Sequence, residues 1–404
     1  MYNFDKIADR KNVNSLKWQY EDVIPMWVAD MDFDTMPEIK DVLKRRIDLG
    51  ALGYTNTPSY FFEAFRDFWI RRHHVDFDTN WMIFSTGVVP AISSIVRKLT
   101  KVGDRILVMT PTYNIFFNSI INNNREVSQT NLEYDGKEYK INWKDFEGRI
   151  KNNVRMLILC NPQNPVGKIW SKGELERIGR ICRENQVIVV SDEIHCDIVS
   201  PGKEYTPFAS INDMNKEISV TLLSASKCFN LAGLQGACVV IPNEKIRKLV
   251  DRGLNTDEVA EGNAFVFDAY TEALNKGDEW LRELNEIIYN NKKYLKNFLY
   301  NNIKELSYHF GDATYLAWVD VSNITDDGKL LCDYLKDNAK VYFSYGEEYG
   351  KFFKSYIRIN LATSLDIVKE GLNRLKLGID KFKEEYKKWE RILELKHGFI
   401  HNQY

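Results

Sequence analysis

Residues 81–99 read Trp-Met-Ile-Phe-Ser-Thr-Gly-Val-Val-Pro-Ala-Ile-Ser-Ser-Ile-Val-Arg-Lys-Leu, and a change of period inside them decides the fold. Trp81–Ser85 is a short apolar run with strand character. From Pro90 onward, Ile92, Val96 and Leu99 recur at helical spacing. Between the two lies a strand-to-helix turn, Ser85-Thr86-Gly87-Val88-Val89-Pro90. The alternation repeats outward. Arg105–Met109, Arg155–Cys160, Gln186–Ser191 and Ser219–Leu223 read as strands, and Ser171–Asn185 as a helix opened by a Ser171/Glu174 capping box. Apolar strands alternating with helices predict an α/β fold, with a mainly parallel sheet covered on both faces.

The chain has 404 residues, enough for a large domain and a smaller one. Residues 46–275 carry the alternation and are expected to form the large domain. From about Lys276 the character changes: a long charged helix over Trp280–Leu299, strands at Thr314–Val321 and Tyr356–Leu361, and a last helix over Ile367–Lys388. Residues 276–404 are therefore expected to form a small α+β domain, joined by an N-terminal arm, 1–45. Lys381–Lys396 mixes charges of both signs and reads as a solvated helix.

Net charge is −2, with 55 basic and 57 acidic residues, which gives no nucleic-acid or acidic-lipid footprint. The start of the chain shows no apolar secretory core, and no apolar run reaches the ~18 residues of a membrane span. The six cysteines form no CxxC, which fits reduced thiols in a cytoplasm.

In such sheets ligands bind beyond the carboxyl ends of the strands. Polar punctuation falls there: Ser85-Thr86-Gly87, Pro111-Thr112-Tyr113, Asn161 to Gly167, Asp192 to His195, and Ser224-Ala225-Ser226-Lys227. A lysine in a cleft can form an imine once burial keeps its amine partly neutral. A carboxylate such as Asp192 can pair with a protonated pyridine nitrogen. Gly87 before a helix start suits a phosphate. Taken singly, each has an ordinary alternative: a surface lysine, a capping aspartate, a plain turn.

Together they become specific. Asn161-Pro-Gln-Asn-Pro-Val-Gly167, Ser191-Asp-Glu-Ile-His195, Ser226-Lys-Cys-Phe-Asn-Leu-Ala-Gly233 and Arg358-Ile-Asn360 occur in the order seen in fold-type I pyridoxal-phosphate (PLP) enzymes of the class I/II aminotransferase superfamily. Trp27-Val-Ala-Asp-Met-Asp-Phe33, Gly53-Tyr54-Thr55 and Thr86-Gly-Val-Val-Pro-Ala91 resemble the cystathionine β-lyase (C–S lyase) branch in particular. The resemblance spans about Trp27 to Asn360. It implies an aspartate-aminotransferase-like fold with a seven-stranded sheet.

It also implies roles. Lys227 would hold the cofactor as a Schiff base and shuttle the Cα proton. Asp192 would keep the pyridine nitrogen protonated, and Asn164 would donate to the phenolic oxygen. Tyr113 would stack on the ring. Gly87 and Val88 amides, with Ser224, would cradle the phosphate, and Tyr54 would reach the phosphate of a neighbouring subunit, so a homodimer is expected. Arg358 would fork the substrate carboxylate, with Ala29, Tyr113 and Asn164 completing the substrate site.

His195 stands where aminotransferases often place a tyrosine that bonds the phenolic oxygen. Departures from the family pattern are Cys228 after the lysine, Leu361-Ala-Thr-Ser364 after Arg358-Ile-Asn360, and Gln235 where aminotransferases tend to use a phosphate-binding arginine.

Asp192-Glu193-His195-Cys196-Asp197 contains metal-ligand residue types, but no second histidine cluster accompanies it, and strand neighbours point to opposite faces. No metal is expected. His73 and His74 read as an exposed helix end, and Cys228 as packing. The resemblance favours β-elimination of a cysteine thioether. An aminotransferase using the same lysine is the second reading, and a PLP-binding regulatory protein the third.

Overall fold

In the computed structural model the backbone is described for residues 2–401 and side chains for 2–385. The large sheet has eight strands. Their spatial order is Met82–Ser85, Ala237–Val240, Ser219–Leu223, Ile188–Asp192, Val154–Cys160, Arg105–Thr110, Glu126–Tyr134 and Tyr139–Ile141. The pairs among the middle strands are parallel; Ala237–Val240 and the edge strand Tyr139–Ile141 run antiparallel to their neighbours. The expected seven strands are therefore joined by an eighth, a three-residue strand that folds back on Glu126–Tyr134.

The strands are almost continuously apolar because both faces are covered. Leu107, Met109, Leu157, Leu159 and Val189 face one core. Ile106, Val108, Met156, Ile158 and Val190 face the other, against Ala91, Ile92, Ile95 and Val96 of helix Val88–Leu99. The helix Lys172–Glu184 opens on the expected capping box: Ser171 Oγ accepts from Glu174 N at 3.3 Å, and the Glu174 carboxylate accepts from Ser171 N at 2.8 Å.

A second, antiparallel sheet has the order Ser307–His309, Leu316–Asp320, Tyr356–Asn360, Ser344–Tyr345. It packs on Val368, Leu372, Leu375 and Ile379 of the last helix, Leu365–His401. Ile24–Pro25 pairs in parallel with Val341–Tyr342. We propose 276–404 with the N-terminal arm as the smaller unit of the chain. The limit at residue 45 falls inside helix Pro37–Asp48, whose Ile39 shares a core with Phe61, Phe65 and Val266 of the larger unit. The solvated-helix reading of Lys381–Lys396 falls largely beyond residue 385, outside the described side chains.

A tight junction joins the segment before strand Leu316–Asp320 to the loops of the larger sheet. Ala313 N donates to Gly167 O at 2.9 Å, Thr314 N to Ile198 O at 2.8 Å, and Ser200 N to Asp312 O at 2.7 Å. Buried Lys292 donates to the Gly311 and Ala313 carbonyls, both at 2.9 Å. Gly167 has φ +68°, and a Cβ there would lie 2.6 Å from Ala313 O, so glycine is required twice over. The junction fixes the backbone on either side of the site, at 161–167 and 195–200.

Candidate active site

Strand ends and one helix start converge on a cavity of about 230 Å³. Thr86, Gly87 and Val88 enter it at the start of helix Val88–Leu99. Tyr113 follows strand Arg105–Thr110, and Asn164 follows Val154–Cys160. Asp192 and His195 lie at and beyond the end of Ile188–Asp192, and Lys227 comes after Ser219–Leu223. Ala29 closes the wall from the N-terminal arm. Apart from Ser224, Tyr54 and Arg358, every residue predicted for the site lines this cavity.

The Lys227 amine donates to Ala29 O at 2.7 Å, and the Tyr315 hydroxyl donates to the same carbonyl at 3.0 Å. Burial pushes the amine below its ordinary range; the Asp30 carboxylate opposes that and Arg358 adds to it. The segment carrying Ala29 is clamped. Asn360 Nδ2 donates to Val28 O at 2.5 Å and Asp30 O at 2.7 Å. Lys17 donates to Asp30 O at 3.1 Å and pairs with Asp32 at 2.9 Å, both side chains at most 1% exposed. Trp18 Nε1 donates to the other Asp32 oxygen at 2.8 Å.

Asp192 is buried, and desolvation drives its carboxyl up to about 7. A buried cation placed beside it would hold it ionised. His195 is equally buried and is pushed down to about 3 by desolvation, with Lys227 and Arg358 adding, so its ring is neutral. Its Nδ1 has no hydrogen-bond partner among the described residues. Burial raises the Tyr113 phenol to about 12, so it too is neutral.

Arg358 stands in the middle of strand Tyr356–Asn360, almost wholly buried. Its Nη2 donates to Trp27 O at 2.8 Å, Nη1 lies 3.5 Å from Asn164 Oδ1, and its carbon is 4.7 Å from the centre of the Tyr349 ring. Its Nε has no partner, and no carboxylate pairs with it among the described residues. A buried guanidinium held by carbonyls and an aromatic face is prepared for an incoming carboxylate.

Besides Arg358, two predicted site residues lie off this cavity. Ser224 is behind the wall, its hydroxyl donating to Gly236 O at 2.7 Å and lying 2.9 Å from Ser226 Oγ. Ser226 is the hydroxyl residue on the wall, and the sequence reading passed over it. Tyr54 does not line this cavity; it is fully exposed, near exposed Ile47, Leu49 and Leu52 in sequence. Gln235, noted as a departure, lines the cavity beside Gly236. Cys228 is buried in the core, as read.

His73 corrects the sequence reading. His74 is exposed, but His73 turns inward, and its Nε2 is 3.0 Å from Asp197 Oδ1. Residues 193–197 form a turn rather than a strand, so alternation of faces does not apply to them. His73, Cys196 and Asp197 place potential ligand atoms within 4.8 Å of one another. Arg72 already meets the same Asp197 oxygen at 3.2 Å, which makes the group an ion-pair cluster joining helix Ser59–His73 to the turn after His195.

PLP fits these residues. Lys227 offers an amine of lowered basicity for its aldehyde, and Asp192 a buried carboxyl for its ring nitrogen. The open helix start at Gly87 and Val88 suits its phosphate, and the orphaned His195 Nδ1 is a polar atom awaiting a partner.

Comparison with known proteins agrees with this geometry. Residues 21–375 match the family model of class I and II aminotransferases. Cystathionine β-lyase PatB of Bacillus subtilis is 36% identical, over 93% of this chain and 100% of its own length. The PLP-bound C–S lyase of Staphylococcus hominis superposes with a TM-score of 0.89 at 32% identity, covering 94% and 99% of the two chains. A PLP-bound aminotransferase candidate from Clostridium difficile reaches 0.91 at 37% identity, over 94% and 100%.

Proposed function

Because the chain belongs to the class I and II aminotransferase family, we propose that it is a PLP-dependent carbon–sulfur β-lyase. It takes L-cystathionine or a related cysteine S-conjugate, with one water, to a free thiol, pyruvate and ammonia. The end-to-end match to a cystathionine β-lyase carries this reading. His195 and Gln235, in place of the usual aminotransferase residues, support it.

Bound to Lys227, the cofactor supplies an electron sink for the pair left behind when the substrate Cα loses its proton. The protein's groups do the rest. Arg358 receives the α-carboxylate in a fork, using its unpartnered Nε, and the Ala29 segment borders the same end of the substrate. Tyr113 covers one side of the cavity. Lys227, whose amine burial holds below its ordinary range, would take the Cα proton. A thiolate then leaves Cβ, and it is stable enough to depart without a strong acid. Asp192, ionised beside a cation, keeps the sink effective. Asn164, with its amide oxygen towards Arg358, tethers the ring side of the site to the substrate side.

The test is to mix the PLP-loaded protein with L-cystathionine and no keto acid, and to follow pyruvate and thiol together. Equal catalytic release of both is expected. Silence, followed by amino-group exchange once a keto acid is added, would establish the aminotransferase reading instead; the C. difficile relative is described in those terms.

The working form is a homodimer. Its support is Tyr54, fully exposed on this chain with Ile47, Leu49 and Leu52 exposed nearby, a surface a second copy would cover. Sedimentation should give one species of twice the 47.3 kDa chain mass, and a monomer that retains full activity would refute the assignment. The place of action is the cytoplasm. All six cysteines are free and buried, and no described helix is long and apolar enough to cross a membrane.

A further inference from the structure

Of the stretch Trp27–Phe33, only Ala29 lines the Lys227 cavity. The backbone on either side of it is nevertheless fully engaged, since each carbonyl from Met26 to Asp30 accepts a hydrogen bond. Trp27 O receives Arg358 Nη2 at 2.8 Å and the Ser344 hydroxyl at 3.0 Å. Ala29 O receives the Lys227 amine at 2.7 Å and the Tyr315 hydroxyl at 3.0 Å. The other three are met by Asn360. Its backbone N–H donates to Met26 O at 2.9 Å, and its side-chain amide donates to Val28 O at 2.5 Å and Asp30 O at 2.7 Å.

The orientation of that amide is fixed from its far end. Ala362 N donates to Asn360 Oδ1 at 2.8 Å, so the oxygen faces Ala362 and both amide hydrogens face the segment. Asn291, buried on helix Asp278–Asn302, donates to Leu361 O and Thr363 O, both at 2.9 Å. The run Leu361–Ser364, which departs from the family pattern, is thus the anchor of Asn360. Asn360 is 1% exposed and does not line the cavity.

We propose that Asn360 is a positioning residue for the reaction. By holding Val28 O and Asp30 O, it sets where Trp27 O and Ala29 O stand. Those two oxygens hold the guanidinium that receives the substrate carboxylate and the amine that takes the Cα proton. One buried amide thereby sets the separation of two cations that must meet the same small amino acid, and a misplacement of about 1 Å in such a pair costs up to about 10²-fold in rate. The proposal rests on the roles given to Arg358 and Lys227 and not on what leaves Cβ.

Two measurements on the PLP-loaded protein test it. L-Alanine carries the α-amine and α-carboxylate but no leaving group, and its binding is followed through the cofactor absorbance. Pyruvate release from saturating L-cystathionine reads the chemical step. In Asn360→Ala the apparent Kd for L-alanine is expected to rise about tenfold, and pyruvate release to fall about tenfold. Asn360→Ser keeps one hydroxyl donor and is the milder change where the alanine variant does not fold; about threefold is expected in each value. A purely structural role would lower the melting temperature and leave both values alone. Either value within twofold of the parent's in a folded, PLP-loaded variant overturns the assignment. If the parent releases no pyruvate, the lyase reading has failed, and the L-alanine titration alone decides the role of Asn360.

Discussion

Replacing Lys227 by Ala should lower pyruvate release by at least about 10³-fold, the range expected when the positioned base of a proton transfer is removed. The loss should come without collapse of the fold. Ala29 O keeps the Tyr315 hydroxyl at 3.0 Å, and the segment around it is held by Asn360, Lys17 and Trp18, none of which depends on Lys227. The melting temperature should therefore stay within a few degrees of the parent's, while the absorbance of imine-bound cofactor disappears. Adding a small primary amine should restore part of the rate, because it supplies the missing base. Retention of more than a tenth of the activity by Lys227→Ala would show that another group takes the Cα proton.

The second large effect is expected at Asp192. Its carboxyl is buried at the end of a central strand and driven up to about 7, so the cofactor-free pocket already disfavours the charge. Only a cation next to it makes ionisation favourable. Asp192→Asn keeps the shape and removes that pairing. Truncating one partner of a buried charge pair costs about 2–5 kcal/mol, which corresponds to a loss of about 30- to 5,000-fold in kcat. The loss should fall on kcat rather than on KM, since Arg358 and Ala29, not Asp192, receive the substrate carboxylate. A change confined to KM would place Asp192 on the substrate side of the site and contradict the role given to it.

Much of the site could be read in the sequence because it lies in short motifs at strand ends, where period and punctuation change together. Gly87, Asn164, Asp192 and Lys227 are each fixed by the strand or helix beside them, so locating the strand locates the residue. What escaped reading depends on contacts remote in sequence. Tyr315 meets Ala29 across 286 positions and Arg358 meets Trp27 across 331, and no local pattern announces either. Ser224 and Ser226 are two positions apart in a segment without regular structure, so alternation gives no guide to which hydroxyl reaches the cavity. His73 follows two arginines and reads as solvated until Asp197, 124 residues away, is brought beside it. The eighth strand, Tyr139–Ile141, is only three residues long, too short for period alone to reveal.

The carbonyl of Ala29 has one more consequence. A buried acceptor abandoned by its donor costs about 1–3 kcal/mol, a toll that would be added to the barrier each time Lys227 moved away to attack or to collect a proton. Here the Tyr315 hydroxyl occupies the same oxygen throughout, so the lysine departs from an acceptor that stays satisfied. The backbone oxygen that borders the lysine thus does not depend on it: with the Lys227 amine engaged by the cofactor, Ala29 O still has the Tyr315 hydroxyl as its donor at 3.0 Å.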